Sequence, residues 1–297
     1  MEVKDLKIKI LRVNAFTRDK NGGNPAGVLI NSPELTDKQM AKITKDLQVS
    51  ETAFIYPSNK ADHKTRFFSP TVEVDLCGHG TIAAFYTMAL RNEILQNREY
   101  SMTQETNVGV LPVDIIFSDD NNKLTRVMMH QDKPVLKDVD IDMKIVADAL
   151  NISIENIDTA HPRQIVSTGV FTLPICIKSF NVLKNIKPDY DKVAEVCKKI
   201  DSGSFFVYTF ETLESESTYH ARCFCPLYGV NEDPVTGTAN GAVSSYLFLN
   251  KIVKDNNFIC EQGDIMGRPG RVYVEIEDNV VKVGGKAIIV EEKELEI

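Results

Sequence analysis

The sequence predicts an α+β fold made of two related halves, on three observations. Strand-like runs outnumber helical ones and come in adjacent groups, not singly between helices, which favours antiparallel or mixed sheets over a doubly wound layout. Sliding the chain by 156 residues lays Arg66, Phe68, Pro70, Val74 and Ala83 on Arg222, Phe224, Pro226, Val230 and Ala239. Five identities in 18 ungapped positions, against about one expected by chance, mark an internal repeat. The length, 297 residues, is that of about two domains. The expected division is 1–130 and 131–283, with a C-terminal strand over about 284–297 as a candidate addition to the first domain. In both copies an R-x-F-x-P strand end leads through a polar turn into a helix of small residues, so two facing domains with a site between them are expected.

Ile8, Ile10 and Val13 open the first strand, which runs to the turn Asn21-Gly22-Gly23-Asn24-Pro25, and 26–30 resumes extended. Thr36 and Gln39 form a capping box ahead of the apolar stripe Met40, Ile43 and Leu47, giving a helix that ends near Gln48. Short strands follow at 51–56 and 65–68, then a helix from about His79 to Arg91 and three strand-like runs near Tyr100, at 108–117 and at 124–130. In the second half, helix signals cover 142–150 and 188–200, where Pro188 suits a first turn. Strands are read at 173–178, 205–210 and 219–224, a helix at 237–250, and strands at 271–276 and 280–283.

Composition excludes several functions. With 34 basic and 42 acidic side chains the net charge is −8, the wrong sign for a general phosphate-backbone binder, so no nucleic-acid partner is expected. A few local N–H donors can still hold a small anion. No run reaches the 18 or so apolar residues of a membrane span, and charges break every apolar run of the amino terminus, so neither a membrane segment nor a secretory signal is expected. The six cysteines form no C-x-x-C pair, and reduced thiols in the cytoplasm is the simplest expectation. Cys223-x-Cys225 near His220 lacks zinc-ligand spacing, so no metal is expected. His63, His130, His161 and His220 stand in ordinary contexts. Phosphate-loop, nucleophile-elbow and dinucleotide motifs are all absent.

Three constellations carry chemistry. In Asp75-Leu-Cys77-Gly78-His79-Gly80-Thr81, two glycines at a helix mouth leave the first N–H groups open to an anion, or serve only a tight strand–helix turn. In Asp233-Pro-Val-Thr236-Gly237-Thr238, Pro234 pushes Asp233 extended, and Thr236, Gly237 and Thr238 offer donors where a helix starts; a plain N-cap is the alternative. Glu51 shares a strand face with Ala53 and Ile55, so its pKa is expected to rise toward that of a neutral-pH acid or base, unless it sits at a solvated strand end. Arg268 lies in the Gly-rich stretch 261–270, read as a loop, and is either a substrate ligand or a loop ion-pair partner.

Together with Asn14-Ala-Phe, Gly23-Asn-Pro-Ala-Gly27, Ser50-Glu-Thr-Ala-Phe54, Arg66-Phe-Phe-Ser-Pro70, Gln262-Gly, Met266-Gly-Arg-Pro269 and Val283-Gly-Gly285, these motifs resemble the phenazine-biosynthesis F-type (PhzF-like) family, relatives of diaminopimelate epimerase. The resemblance implies two pseudo-symmetric domains, each a barrel-like, mostly antiparallel sheet around a central helix, with the active site in the interdomain cleft. It implies a homodimer that works without cofactor on a small-molecule carboxylate substrate. The characterised family chemistry is isomerisation of a dihydro-hydroxyanthranilate, with the glutamate matching Glu51 as proton shuttle. Gly78, His79 and Asp233 match positions that bind and orient substrate, and Thr238 matches a usual Ser or Thr. Two alternatives stand beside this isomerase. One is a catalytically silent metabolite- or partner-binding protein. The other is a two-base racemase, for which Cys77 matches the first thiol but the Asp233 turn lacks the second, leaving Cys77 better suited to packing.

Overall fold

The computed structural model describes residues 7–91, 99–118 and 123–296. The reading of the amino terminus as lacking a signal therefore lies, for residues 1–6, outside the described residues. The chain divides into two compact units, Met1–His130 with Gly284–Ile297, and Gln131–Val283. Each is α+β, a barrel-like sheet around one helix. Among the described residues no helix is long and apolar enough to cross a membrane.

The first unit begins with β1 (Lys7–Ala15), β2 (Asn24–Leu29), α1 (Asp37–Leu47), β3 (Glu51–Tyr56), β4 (His63–Phe68), β5 (Glu73–Val74), α2 (Gly78–Leu90), β6 (Glu99–Thr106), β7 (Gly109–Phe117) and β8 (Leu124–Gln131). A carboxy-terminal strand, Ala287–Glu296, pairs antiparallel with β1. From β1 the sheet runs antiparallel to β2, parallel to β3, antiparallel to β4, then parallel to β6 and antiparallel to β7 and β8, while β5 folds back on β4. The turn between β1 and β2 is tied by Asn14, whose Nδ2 donates to the Lys20 and Gly22 carbonyls at 2.9 and 2.8 Å. Gly23 closes it at φ +69, where a Cβ would meet the Ala15 carbonyl oxygen at 2.2 Å. Strand β2 starts at Asn24, ahead of the expected Ala26, because Asn24 and Pro25 already pair with Ala15 and Asn14.

Helix α2 is buried from Gly80 to Ala89 and packs against β1, β2, β3, β7 and the carboxy-terminal strand, so the sheet curls around it. A helix apolar all round belongs at such a centre. Helix α1 is amphipathic: the Thr36–Gln39 capping box forms, and Met40, Ile43 and Leu47 pack with Ile8, Ile10, Leu29, Phe54 and Phe68. Phe54 thus faces α1, and Glu51 lies on the alternate face of β3.

The second unit holds β9 (Val135–Asp138), α3 (Met143–Leu150), β10 (Gln164–Ser167), β11 (Thr172–Cys176), α4 (Phe180–Asn185), α5 (Tyr190–Lys199), β12 (Ser204–Thr209), β13 (Tyr219–Cys225), β14 (Val230–Asp233), α6 (Gly237–Leu249), β15 (Asn257–Gln262), β16 (Gly270–Glu277) and β17 (Val280–Gly285). Its pairing repeats that of the first. Strand β11 runs antiparallel to β10 and parallel to β12, β12 antiparallel to β13, β13 parallel to β15, and β14 folds back on β13. Helix α6 takes the central place of α2, buried along most of its length and packed against β10, β11 and β16.

Strands β4 and β13 keep the 156-residue offset, but the central helices start 159 residues apart, at Gly78 and Gly237. The turn before α6 is three residues longer, so the match of Ala83 with Ala239 is out of structural register. Cys77 and Thr236 are the equivalent N-cap residues.

Candidate active site

In the first unit the site is assembled by the close of α1, the start of β3 and the start of α2. Gln48 caps α1 in the left-handed conformation (φ 55) and turns the chain toward Ser50 and Glu51. Cys77, extended at φ −135, is the N-cap of α2, and its thiol accepts from the Gly80 N–H at 3.4 Å. A Cβ on Gly80 would come within 3.1 Å of the Cys77 sulfur and of Phe67, which is why glycine stands there. The N–H groups of Gly78 and His79, first in the helix, have no intrahelical acceptor and face whatever lies at its positive end.

The His79 side chain joins the two segments. Its Nε2 is 3.2 Å from Glu51 Oε2 and 3.3 Å from Ser50 Oγ, and its Nδ1 is 3.5 Å from Cys77 Sγ. The expected rise in the Glu51 pKa does not occur. Burial does push it up, but the hydrogen bond and positive charge of His79, with a hydrogen bond from Ser50, outweigh burial and hold the carboxyl below its ordinary 4.5. For His79 burial acts downward, yet Cys77 and Glu51 together raise the imidazole well above 6.5. Both directions favour a Glu51 carboxylate paired with a His79 imidazolium. The partner lies 28 residues along the chain, so strand periodicity around Glu51 carried no sign of it. Glu51, Cys77 and His79 also offer ligand atoms within 4.8 Å of one another, a set able to hold a metal ion.

In the second unit the β13–β14 pairing places Asp233 opposite Cys223. The Thr236 hydroxyl donates to Asp233 Oδ2 and so does not cap α6, whose first-turn N–H groups have no side-chain cap. Gly237 is buried at the head of this helix, and Thr238 is half-buried beside Thr168 Oγ1, 3.3 Å from its carbonyl oxygen. Cys223 lies far upstream of this turn in sequence but against it in space. A hydrogen bond with Cys225, burial and the nearby Asp233 charge push its thiol well above the ordinary range, so it is a protonated, packed thiol.

The organiser of this turn is Gln262. Its Nε2 donates to the Asp233 carbonyl (2.9 Å) and Thr236 Oγ1 (3.2 Å), and its Oε1 accepts from Thr236 N (3.1 Å) and Asn240 Nδ2 (2.8 Å). The start of the 261–270 stretch is thus not loop: residues 257–262 form β15, a strand missed because Glu261 and Gln262 are polar and fully buried. Gln262→Leu leaves several buried groups without partners and is expected to lower stability by about 1–3 kcal/mol, read by urea unfolding. Arg268 closes the following turn, its N–H donating to the Gly263 carbonyl at 2.9 Å. His220 Nδ1 pairs with buried Glu261 Oε2 at 2.8 Å.

A barrel-like sheet on a central helix is the diaminopimelate epimerase-like fold, and here that helix's amino end carries a carboxylate, an imidazole and a thiol. The model of the phenazine biosynthesis-like (PhzC-PhzF) family matches residues 13–293, and the chain belongs to that family as an isomerase of the PhzF type. It is 38% identical to an uncharacterized isomerase of Clostridium acetobutylicum over 97% of this chain and 98% of that one. An uncharacterized isomerase of Bacillus subtilis is 35% identical over 91% of each chain. The crystal structure of a PhzF-family phenazine biosynthesis protein of Bacillus anthracis superposes with a TM-score of 0.89 at 31% identity, covering 98% of this chain and 100% of that one. A hydroxyproline epimerase from Agrobacterium vitis, at 13% identity and a TM-score of 0.62 over 98% of this chain and 91% of that one, shares the fold alone.

Proposed function

We propose that the protein moves a proton between two carbons of a small, carboxylate-bearing, amino-acid-like metabolite, with Glu51 as general acid and base. The observation that carries this reading is the ion pair of Glu51 and His79 at the open amino end of α2. Glu51 takes a proton from one carbon, the electron pair moves into the conjugated substrate, and the protonated carboxyl returns the proton to another carbon. The His79 charge keeps Glu51 ready as a base, and the open N–H groups of α2 stabilise negative charge that develops on the substrate. Asp233, Gly237 and Thr238 belong to the same reading as substrate-binding residues, as do Gly78 and Cys77. The protein works in the cytoplasm as a homodimer without cofactor.

Two observations count against a two-thiol racemase. Thr236 stands where the second repeat would need its thiol, and Cys223 behind it is held protonated. The test is incubation of candidate amino-cyclohexadiene carboxylic acids with the protein in deuterated water, followed by NMR. The proposal expects double-bond migration with the migrating hydrogen partly retained; incorporation of deuterium at an α-carbon with inversion and no migration would overturn it.

The pH dependence follows from the two shifts. Glu51, lowered, is charged above 4.5 and loses its base form only as pH falls below that value. His79, raised, stays charged past 6.5 and loses its proton as pH rises through its elevated pKa. The rate is expected to be flat across neutrality. His79→Gln removes the charge that opposes burial of Glu51 and leaves the Ser50 hydrogen bond, so the acid limb is expected to move to higher pH, as a pH–rate profile would show.

A further inference from the structure

We infer that the second unit carries a binding site for one transition-metal ion of the zinc class, formed by Asp158, His161 and Cys176. Their ligand atoms all lie within 4.8 Å of one another. None belongs to the site described above.

The donors are fixed by structure on every side. The Asp158 N–H donates to the Cys176 carbonyl at 2.9 Å, and Ile157 bridges Ile177, so the two segments are held side by side. The Ala160 N–H takes Asp158 Oδ1 at 3.0 Å, leaving Oδ2 toward His161 Nε2 at 4.0 Å. Tyr246 anchors the His161 segment by donating to the Pro162 carbonyl at 2.7 Å. His161 Nδ1 is 3.1 Å from the Tyr208 hydroxyl, and the two rings stack. That contact occupies Nδ1 and leaves Nε2 toward Asp158, the arrangement of a metal-bound histidine with its outer partner.

Space and chemistry favour an ion over a metabolite. The cavity lined by these residues has room for about 20 Å³, enough for a water-sized sphere and nothing larger. Thiolate, imidazole and carboxylate together suit zinc-like ions and not calcium or magnesium. Burial and the Asp158 charge push the Cys176 thiol up to about 12, so unassisted it is inert. On binding, the metal takes the thiol's sulfur as thiolate and the proton leaves to solvent. Arg163, the cation lining the cavity, has its guanidinium turned to the Ile141 carbonyl at 3.2 Å. Asp158 is 40% exposed at its side chain, which leaves a way in for the ion.

Because Glu51, Cys77 and His79 are a second set that could take a metal, the reference protein for the test is full-length Cys77→Ser. Chelator-stripped Cys77→Ser is titrated with Co2+ and with Zn2+, following the thiolate-to-cobalt charge-transfer band, Zn2+ affinity by calorimetry and the melting temperature. One equivalent of Co2+ with that band is expected, together with a Zn2+-dependent rise in melting temperature. Adding Cys176→Ser is expected to abolish the band, and adding His161→Gln or Asp158→Asn, each removing a direct ligand, to weaken Zn2+ by more than the about 10–100-fold that loss of an outer partner costs. The two last changes lie at partly exposed positions, so they keep the test open should the buried serine impair folding. Absence of the band in the reference protein, or unchanged Zn2+ affinity in folded His161→Gln and Asp158→Asn, would overturn the site.

Discussion

Glu51→Gln is expected to slow isomerisation about 10²–10⁴-fold, the usual contribution of a positioned acid–base group, with the fold retained. The amide fills the volume of the carboxylate and can keep a hydrogen bond to Ser50 or His79, but it cannot take up a proton. In the proposed mechanism the substrate carboxylate is held by N–H groups of α2 that the substitution leaves in place, so the loss is expected in kcat with little change in KM. Glu51→Asp separates charge from reach. It restores the ion but withdraws it by one methylene, and it is expected to recover only part of the rate. Equal turnover by Glu51→Gln and wild type would remove Glu51 from the chemistry.

The largest effect on stability is expected at Arg222. Its Nε and Nη2 donate to the two Glu232 oxygens, both at 2.8 Å, and its Nη1 donates to the Leu183 and Ile186 carbonyls at 3.1 and 2.8 Å. Both side chains are nearly buried, 9% and 10% exposed. Arg222→Ala strands a nearly buried carboxylate and the Ile186 carbonyl at the end of α4, and is expected to cost about 3–5 kcal/mol by urea unfolding. The repeat supplies a control. Arg66 makes the matching pair with Glu73, but the two are 25% and 24% exposed and the second partner, Asp37, lies at the surface. Water screens that pair, so Arg66→Ala is expected to cost about 1 kcal/mol. Equal losses at the two sites would mean that burial does not set the strength of these pairs.

What was legible in the sequence was whatever depends on neighbours along the chain. The α1 capping box, the strand at Glu51 and the two glycine or threonine turns at helix starts are all written within a few residues. The PhzF-like family and its two-barrel architecture followed from an ordered set of such motifs. Helix α4 was not legible, because six residues hold little helix of their own and its carbonyl end is satisfied by Arg222 from 36 to 39 residues away. Strand β15 was hidden by the polar side chains of Glu261 and Gln262, which are buried only because His220 and the α6 turn receive them. The same cause reversed the expected sign of the Glu51 pKa. The apolar face of β3 was visible, and the imidazole opposite it was not. Asp158, His161 and Cys176 also meet only through tertiary pairing, and His161 looked ordinary by itself.

The charged pair of Glu51 and His79 is the centre of this account, and nitrogen-15 NMR of the imidazole of His79 tests it without a substrate. In wild type the His79 ring is predicted to show imidazolium shifts at pH 7.5 and to lose its proton only well above 6.5. In Glu51→Gln its pKa is predicted to fall. A neutral His79 at pH 7 in the wild type, or a titration unchanged by the substitution, would contradict the account.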